Sequence, residues 1–538
     1  MQLRATNIRK LSEGVFDVLC LGGGINGAIA AAALSARGAR VALIDRGDFG
    51  GLTSQESSNL AWGGIKYLES LEFGLVRKLC KSRNTLLRAY PSTVQEIRFY
   101  TTHPRGFRHS RFKLWVGTWL YWFLGSCFTK RPRLLSRKTM ALEEPVLQLD
   151  NATGGFEYSD AFLHDNDARF VFNFVRSALN ASCIAANYVE SLGARHSEGG
   201  VWTVRARDVA GETPAEPFEI RARVLINACG PHVDAHNALT AQKTVHHHVL
   251  SKGIHLIVNR VTKARRVLTF FADDGRPFFV IPMGPRTCIG TTDTPVESAR
   301  VEVTEEDRRF VLDNINRCLR MEKPLTPSDI IAERVGVRPL VMAGEGSGNR
   351  DWMQLSRKHA VEVNAAEHHI SIFGGKLTDC LNVGEEITQR VMELGIALPY
   401  RDRCWYGEPP DEVRDEFYHQ AALMGLDDMT PPTSSERLSS RLWRRYAGEA
   451  IVLLEEIRAN PKSAELLIAG AEYLRCEIEQ AARREMIVKL EDFLRRRSKI
   501  SLVIPSDAVR NAAGLQEACR ILFGDEADAR IAEYFARH

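Results

Sequence analysis

The sequence predicts a fold of mixed α/β and α+β class, built from a parallel-sheet domain, an antiparallel-sheet domain and a C-terminal helical domain. Three observations predict it. The first fifty residues alternate strand, glycine turn, helix and strand; residues 246–344 contain a hairpin of apolar strands; and residues 413–538 are rich in Arg, Glu and Leu. These patterns are typical of a parallel sheet, an antiparallel sheet and helices, respectively. At 538 residues the chain is also too long for one hydrophobic core.

Composition and charge exclude several classes of protein. Hydrophobic residues make up 44% and charged residues 26% of the chain, and the net charge of +4 gives no case for nucleic-acid binding. No run of 18 apolar residues predicts a membrane-spanning helix, and the first residues lack a secretion signal. The 11 cysteines form no Cys-x-x-Cys pair, which predicts reduced thiols, a cytoplasmic location and no metal site.

A glycine motif opens the first domain. "FDVLCLGGG" and "RVALID" are apolar strands on either side of the alanine-rich helix "INGAIAAAALSARG", and Gly22, Gly24 and Gly27 complete G-x-G-x-x-G between strand and helix. Such a turn lets the backbone approach a pyrophosphate at the helix N-terminus, and Asp45 follows where a carboxylate binds ribose hydroxyls. We therefore predict a Rossmann-like dinucleotide-binding domain. A glycine-tight structural turn is the alternative, and it leaves Asp45 unexplained.

The next segment distinguishes between two dinucleotides. Residues 50–67 show neither helical nor strand periodicity and carry several hydroxyls, among them Thr53, Ser54 and Ser58. NAD enzymes of this fold continue with another strand–helix unit, whereas an extended coil rich in hydroxyls suits a large buried ligand. The segment therefore favours resident FAD, with a solvated loop as the alternative.

Later elements divide the rest of the chain. "FEIRARVLINACGP" is predicted to enter the core as a strand, "VLTFFADDGRPFFVIP" to form a hairpin with Asp274 and Gly275 at its tip, and "HHISIFGGKLTDCLNVGEEITQRVMEL" to form strand, glycine turn and helix. The C-terminal domain carries no catalytic motif, and we expect a structural helical cap. The predicted boundaries are 14–70, 150–245 and 345–398 for the first domain, 71–149 and 246–344 for the second, and 412–538 for the helical domain.

An aromatic segment with basic flanks lies at 111–138, "RFKLWVGTWLYWFLGSCFTKRPRLLSRK". Its apolar centre, 114–124, is too short to span a bilayer. Tryptophans such as Trp115 and Trp119 beside Lys and Arg suit a helix lying among lipid headgroups. A buried aromatic core helix with basic ends is the alternative.

Several motifs, in order, resemble those of the FAD-dependent glycerol-3-phosphate dehydrogenases. They are "TSQESSNLAWGGIKYLE", "GGFEYSDAFLHDNDAR", "INACGPHVD", "SKGIH", "IGTTDT", "VGVRPL", "FGGKLT" and "REMIVKLEDFLRRRSKI". Two positions depart from the family pattern, because Trp62 replaces a histidine and Lys66 replaces an arginine. The lysine keeps the charge but loses the fork that suits phosphate.

The resemblance implies noncovalent FAD. Gly374 and Gly375 precede a helix, so backbone amides, the helix end and Lys376 are expected to face the flavin and stabilise its reduced form. Motif and resemblance together assign these residues to the cofactor: Gly22, Gly24, Gly27, Asp45, Thr53, Ser54, Ser58, Gly63, Gly64, Gly230, Gly374, Gly375, Lys376, Leu377 and Thr378.

The resemblance also implies a reaction, the oxidation of sn-glycerol 3-phosphate to dihydroxyacetone phosphate with hydride passing from C2 to flavin N5. His255 is the expected base, and a histidine that only hydrogen-bonds the substrate is the rival interpretation. His255, Arg338 and Lys376 form the expected catalytic set. The expected substrate-binding residues are Lys66, Tyr67, Thr292, Asp293, Arg338 and Arg357.

The family passes electrons to quinone, so the resemblance implies an anionic membrane surface as partner and a peripheral location on the inner face of the cell membrane. Two alternatives are an FAD-dependent oxidase or dehydrogenase of a related hydroxy or amino acid, motivated by Trp62 and Lys66, and a non-catalytic flavoprotein. The sequence leaves open whether quinone or oxygen is the acceptor, and whether the protein is a homodimer.

Overall fold

A computed structural model describes residues 2–272, 276–344, 359–432, 434 and 436–537. Its strands are β1 (Val15–Leu21), β2 (Val41–Ile44), β3 (Leu60–Ala61), β4 (Val94–Pro104), β5 (Arg133–Leu135), β6 (Ala152–Leu163), β7 (Ile184–Ala186), β8 (Val189–His196), β9 (Trp202–Asp208), β10 (Phe218–Asn227), β11 (His246–Asn259), β12 (Arg266–Phe271), β13 (Pro277–Met283), β14 (Arg286–Gly290), β15 (Thr294–Val296), β16 (Ala332–Ala343), β17 (Ala360–Asn364) and β18 (His369–Phe373).

The α-helices are α1 (Gln2–Leu11), α2 (Ile25–Ala36), α3 (Phe73–Ala89), α4 (Arg111–Leu124), α5 (Arg137–Glu143), α6 (Asp167–Asn180), α7 (Val233–Leu239), α8 (Glu305–Cys318), α9 (Cys380–Glu393), α10 (Asp411–Leu423), α11 (Leu438–Tyr446), α12 (Ala450–Ala459), α13 (Arg475–Arg484), α14 (Ile500–Val503), α15 (Ser506–Arg510), α16 (Leu515–Phe523) and α17 (Ala527–Phe535).

The first sheet is the predicted Rossmann-like sheet. Its strands follow the order β17-β18-β10-β1-β2-β7, and β18, β10, β1, β2 and β7 run parallel. Helix α2 packs between this sheet and helices α6 and α9, because its alanines and glycine leave room for close contact on every side. This arrangement places the carboxyl ends of the parallel strands at one edge, next to the start of α2.

The second sheet follows the order β15-β11-β14-β13-β12-β4-β6-β3, with β16 beside β11 and β5 beside β6. Its pairs are antiparallel except β4 with β12, as expected for the second domain. Strands β3 and β6 join this sheet although both lie within the boundaries predicted for the first domain, because β6 pairs along its length with β4. The hairpin β12–β13 forms as predicted, and its tip lies outside the described residues.

The C-terminal helices, α10 to α17, form two apolar clusters of their own and join the first domain through buried ion pairs. Arg169 of α6 contacts Glu485 at 2.6 Å, and Arg496 contacts Asp48 at 2.7 Å. Arg496 belongs to a π-helical segment, Asp492–Arg497, which lies against the first domain. Buried charges therefore join the helical domain to the first domain.

Candidate cofactor and substrate site

The turns that follow β1, β2, β10 and β18 meet at one edge of the first sheet. They carry Gly22, Asp45, Gly230 and Gly374, respectively. Ligands of open α/β sheets bind in the crevice outside the carboxyl ends of the strands. The structure thus brings together four separate parts of the predicted cofactor site.

The glycine turn after β1 forms a cradle that side chains would fill. Gly22 has a φ of +96°, and a Cβ at Gly27 would lie 1.8 Å from the carbonyl oxygen of Gly22. Gly24 precedes α2 without a side-chain cap, and the amide of Ile25 donates to Ser54 Oγ at 3.0 Å. Close backbone approach at a helix N-terminus fits a pyrophosphate.

Asp45 lies half-buried beside this cradle. Its carboxylate accepts the amide of Gly23 at 2.6 Å and that of Gly47 at 2.7 Å. Burial raises the pKa of Asp45, although both amide bonds favour the charged form. Each carboxylate oxygen has a second lone pair, so Asp45 can also accept a ribose hydroxyl.

Residues 50–67 connect the two sheets. Thr53 Oγ1 donates to the carbonyl of Val337 in β16 at 2.7 Å, and Ser54 contacts the start of α2. Ser58 is half-buried in the same segment. Two short 3-10 helices and β3 interrupt the coil that the sequence predicts. The hydroxyls therefore lie between the domains.

The pair Gly63 and Gly64 lies in a tightly packed region. A Cβ at Gly63 would lie 2.2 Å from the hydroxyl of Tyr121, and Gly64 has a left-handed backbone. Thr378 Oγ1 donates to the carbonyl of Trp62 at 3.3 Å. The glycine pair is thereby joined to the turn that follows β18.

Two lysine side chains lie beside that turn. Lys376 Nζ donates to the Tyr67 hydroxyl at 2.8 Å and lies 4.3 Å from the centroid of its ring, while Lys66 Nζ lies 5.2 Å from the same centroid. Leu377 begins a short 3-10 helix that leads into α9. Two ammonium groups around one aromatic ring favour an anion at this place.

His255 belongs to a row of residues that crosses the second sheet. The register pairs Phe279 with Gly290, Gly290 with His255, and His255 with Arg334. Paired residues share a face of the sheet, and the ring of Trp62 meets that of Phe279 edge-on at 6.4 Å. The segment carrying Trp62 therefore covers the sheet face on which His255 lies.

The His255 imidazole is 2% exposed, and within the described residues neither of its ring nitrogens has a hydrogen-bond partner. Burial lowers the pKa of His255 well below 6.5, and the charges of Arg334 and Arg338 lower it further. The imidazole is therefore neutral near pH 7. A buried neutral imidazole with unpaired nitrogens can accept a proton or hydrogen-bond a ligand.

Arg338 is held by the turn between β14 and β15. Its guanidinium donates to the carbonyl of Thr292 at 3.0 Å, to Thr291 Oγ1 at 2.7 Å and to Asp293 Oδ1 at 3.3 Å. Thr292 Oγ1 in turn accepts the amide of Ile254 at 3.1 Å. These contacts fix the guanidinium on the same sheet face as His255.

The structure therefore forms two groups of predicted residues. One group is Lys66, Tyr67 and Lys376, where Lys376 of the turn after β18 meets Tyr67, which packs against side chains of the second sheet. The other group is His255, Thr292, Asp293 and Arg338 on the second sheet, and Trp62 with Phe279 connects the groups. Arg357 lies outside the described residues. The roles of all these residues stay predictions.

Sequence reasoning missed a buried ion-pair network behind the site. Arg497 contacts Asp48 at 2.8 Å, Arg334 pairs with Asp167, and Arg495 contacts Glu56 at 3.2 Å. Glu56 lies in the hydroxyl segment, so the network fixes that segment from behind. The available signals were charged runs inside otherwise apolar stretches, at 165–167 and 495–497.

Comparison with known proteins identifies two family matches along the chain. Residues 17–358 match the family described as DAO, FAD dependent oxidoreductase, and residues 414–523 match the C-terminal domain of alpha-glycerophosphate oxidase. A glycerol-3-phosphate dehydrogenase of Pseudomonas tolaasii is 30% identical over 92% of this chain and 94% of its own length. A D-erythritol 1-phosphate dehydrogenase of Brucella abortus (strain 2308) is 30% identical over 90% and 94%.

A solved structure shares the fold. The glycerol-3-phosphate dehydrogenase from Bacillus halodurans complexed with FAD superposes with a TM-score of 0.74 at 24% identity, covering 99% of this chain and 96% of that one. The agreement includes the C-terminal helices, and it confirms the predicted three-part fold.

Proposed function

The chain belongs to the FAD-dependent oxidoreductase family, and on that premise we propose that it oxidises sn-glycerol 3-phosphate to dihydroxyacetone phosphate and passes the electrons to membrane quinone. The observation that carries the proposal is that one sheet face holds the Arg338 guanidinium and the neutral His255 imidazole, whose ring nitrogens have no hydrogen-bond partner among the described residues. FAD is expected to lie along Gly22–Gly27, Asp45 and the turn at Gly374. When bound, it supplies the acceptor for the hydride that leaves C2 of the substrate.

Arg338 is proposed to bind the phosphate, because a fixed guanidinium makes two parallel bonds to phosphate oxygens. His255 is proposed to take the proton of the C2 hydroxyl. In the absence of substrate, burial and, to a smaller extent, the positive charges of Arg334 and Arg338 lower the pKa of His255 and make it a weak base. A phosphate dianion at Arg338 would offset that charge and raise the pKa of His255, so the substrate itself would activate the base. Hydrogen bonding to the substrate without proton transfer remains the rival role.

One observation favours a second substrate of the same class. Trp62 and Lys66 depart from the family pattern, and the relative from Brucella abortus is named for D-erythritol 1-phosphate. Trp62 adjoins Phe279, so an apolar wall replaces a polar histidine beside the His255 face. A longer polyol phosphate is therefore the second candidate, and it uses the same phosphate site.

Anaerobic mixing tests the proposal. Glycerol 3-phosphate should bleach the flavin of the purified protein, and Arg338→Ala should lower the second-order rate constant of this flavin reduction about ten- to a hundred-fold, since a charge-assisted contact is worth roughly 1.5–3 kcal/mol. Arg338→Lys should lie between the two. Glycerol, which lacks the phosphate, should reduce wild type and Arg338→Ala equally slowly.

The competing outcomes are distinct. If erythritol 1-phosphate bleaches the flavin faster than glycerol 3-phosphate does, the longer polyol phosphate is the better candidate substrate. Bleaching by an amino acid alone would overturn the phosphate-based proposal. An equal loss with glycerol and with glycerol 3-phosphate would mean that Arg338 supports the fold rather than the phosphate.

The structure gives a physical basis for membrane docking, which we propose for α4. Ser110 caps this helix, and one face exposes a stripe of apolar side chains at Phe112 (62% exposed), Val116, Leu120 and Phe123 (70%). From the sequence, Trp115 and Trp119 suit a helix lying among lipid headgroups. In the structure they are half-buried against one another, so they are not the outermost groups of the helix. Across the described residues, no helix is long and apolar enough to cross a bilayer.

Replacing two residues of this stripe tests the docking proposal. Phe112→Ser with Phe123→Ser should remove the salt-resistant part of binding to anionic vesicles, because that part comes from apolar burial whereas the basic flanks act through screened charge. Vesicle sedimentation at low and high salt measures this.

Leu239→Ser with Leu423→Ser removes two exposed apolar groups elsewhere and serves as the control. Neither pair should move the melting temperature much, since exposed positions rarely change stability. A wild-type protein that never sediments with vesicles, or equal losses for both pairs, would contradict docking through α4.

A further inference from the structure

The backbone of Gly374 is held on both sides of its Cα. Its amide donates to Nε2 of His248 in β11 at 2.8 Å, and its carbonyl accepts a hydrogen bond from Nδ2 of Asn26 in α2 at 2.9 Å. Gly374 and Asn26 are buried, and the His248 side chain is 1% exposed. One residue thus joins the glycine-motif helix, the turn after β18 and a strand of the second sheet.

The acceptor role fixes the state of His248. Nε2 must carry a lone pair to accept an amide, so the ring proton lies on Nδ1. Asp234 Oδ2 is 3.7 Å from Nδ1 and also accepts the His248 amide at 3.0 Å. Burial lowers the pKa of His248, Asp234 raises it and His247 lowers it, with a net decrease. The imidazole is therefore neutral at neutral pH, as the hydrogen bond requires.

Packing leaves little freedom for this arrangement. The His248 ring meets the ring of Phe373 at 5.3 Å, and a Cβ at Gly375 would lie 2.9 Å from Oδ1 of Asn26. The turn therefore cannot shift towards α2, and the imidazole cannot rotate away without losing the hydrogen bond that it accepts from the Gly374 amide.

We propose that His248 and Asn26 are positioning residues for the flavin. They fix the amide and the carbonyl of Gly374, and through them the turn carrying Gly375 and Lys376. His248 lies outside the motifs that predict the site, and Asn26 occupies a non-glycine position of the glycine motif. The inference rests on the FAD-binding turn alone and does not depend on which substrate the protein oxidises.

Removing the His248 side chain leaves the buried amide of Gly374 without its acceptor, and removing the Asn26 side chain leaves the buried carbonyl of Gly374 without its donor. His248→Leu should raise the dissociation constant for FAD about ten- to a hundred-fold, the range expected for an unsatisfied buried donor. It should also make the midpoint potential of the bound flavin more negative, because a displaced turn stabilises the reduced flavin less. His248→Gln supplies an oxygen acceptor and should restore most of both properties.

The experiment titrates the apoprotein with FAD and measures the potential of the reconstituted protein. His236→Leu is the matched control, since His236 is a buried histidine whose ring contacts Ser191 at 2.9 Å instead of the Gly374 backbone. His248→Leu and His236→Leu should melt alike as apoproteins, whereas only His248→Leu should change FAD affinity and potential. If His248→Leu does not fold, His248→Asn, which is too short to reach the amide, replaces it.

A double variant tests whether the two residues act together. His248→Leu combined with Asn26→Ala should weaken FAD binding by less than the product of the single effects, because both residues hold the backbone of the same residue, Gly374. The proposal is overturned if the His248 variants bind FAD like wild type, if Gln and Leu are equally impaired, or if affinity falls while the flavin potential stays unchanged.

Discussion

Gly27→Ala should abolish FAD binding. The added Cβ would lie 1.8 Å from the carbonyl oxygen of Gly22, and only movement of α2 away from β1 could relieve the clash. Such movement breaks the cradle at the helix N-terminus, so we expect purified Gly27→Ala protein to be colourless. The flavin-to-protein absorbance ratio after gel filtration measures the loss.

Gly74→Ala is the control for this prediction. Gly74 lies in α3, where a Cβ would meet nothing within 4 Å, and alanine is favoured over glycine in a helix by about 0.5–1 kcal/mol. This variant should keep its FAD and melt slightly later than wild type. A folded Gly27→Ala protein with a full complement of FAD would show that the cofactor does not use the glycine cradle.

Asp48→Asn should destabilise the protein by about 3–5 kcal/mol, since it leaves the buried Arg497 guanidinium without the carboxylate it contacts, whereas Arg496 keeps Asp492 and Glu491. Arg496 and Arg497 both bond the Asp48 carboxylate at 2.7–2.8 Å, and all three side chains are buried. Burial would raise the pKa of Asp48, but Arg497 and Arg496 more than offset it, so the carboxylate stays charged. Denaturant unfolding of the apoprotein measures the change.

Asp402→Asn makes the same chemical change in an exposed pair. Asp402 is 94% exposed and lies 3.6 Å from Arg401, so its removal should alter the free energy of unfolding by less than about 1 kcal/mol. Equal effects of the two substitutions would mean that the buried network contributes no more than a surface pair. If unfolding has more than one transition and Asp48→Asn lowers the free energy of only one of them, the buried ion pairs stabilise only the part of the chain that unfolds in that transition.

The elements that the sequence predicted well are those specified by local spacing. Gly22, Gly24 and Gly27 lie within six residues, so the turn and the start of α2 follow from steric requirements that neighbouring residues impose on one another. The same is true of the turn at Gly374, which follows β18 and precedes α9 as expected. His255, Thr292 and Arg338 came from resemblance, and the structure adds that they share one sheet face.

Features that depend on contacts between residues far apart in the sequence could not be predicted from the sequence. The composition of β6 is that of any buried strand, and only its pairing with β4 places it in the second sheet. The orientation of α4 depended likewise on its neighbours: Tyr121 is buried through its bond to Asp160, and this turns Phe112 and Phe123 outward. His248 has no local signal at all, because the amide that it accepts is 126 residues away.

The ion pairs between Asp48 and the arginines of the last helical domain also impose an order on biosynthesis. Asp48 and Arg496 are 448 residues apart, so at about 5–20 residues per second a ribosome needs roughly 20–90 s between them. During that time the first domain carries the Asp48 carboxylate without Arg496 and Arg497. Residues 50–67 likewise lack the arginine, Arg495, that contacts them in the finished chain. Completion of the flavin site is therefore expected to be a late, nearly post-translational event, and chains that stop before residue 495 should reach the cell's quality control without cofactor.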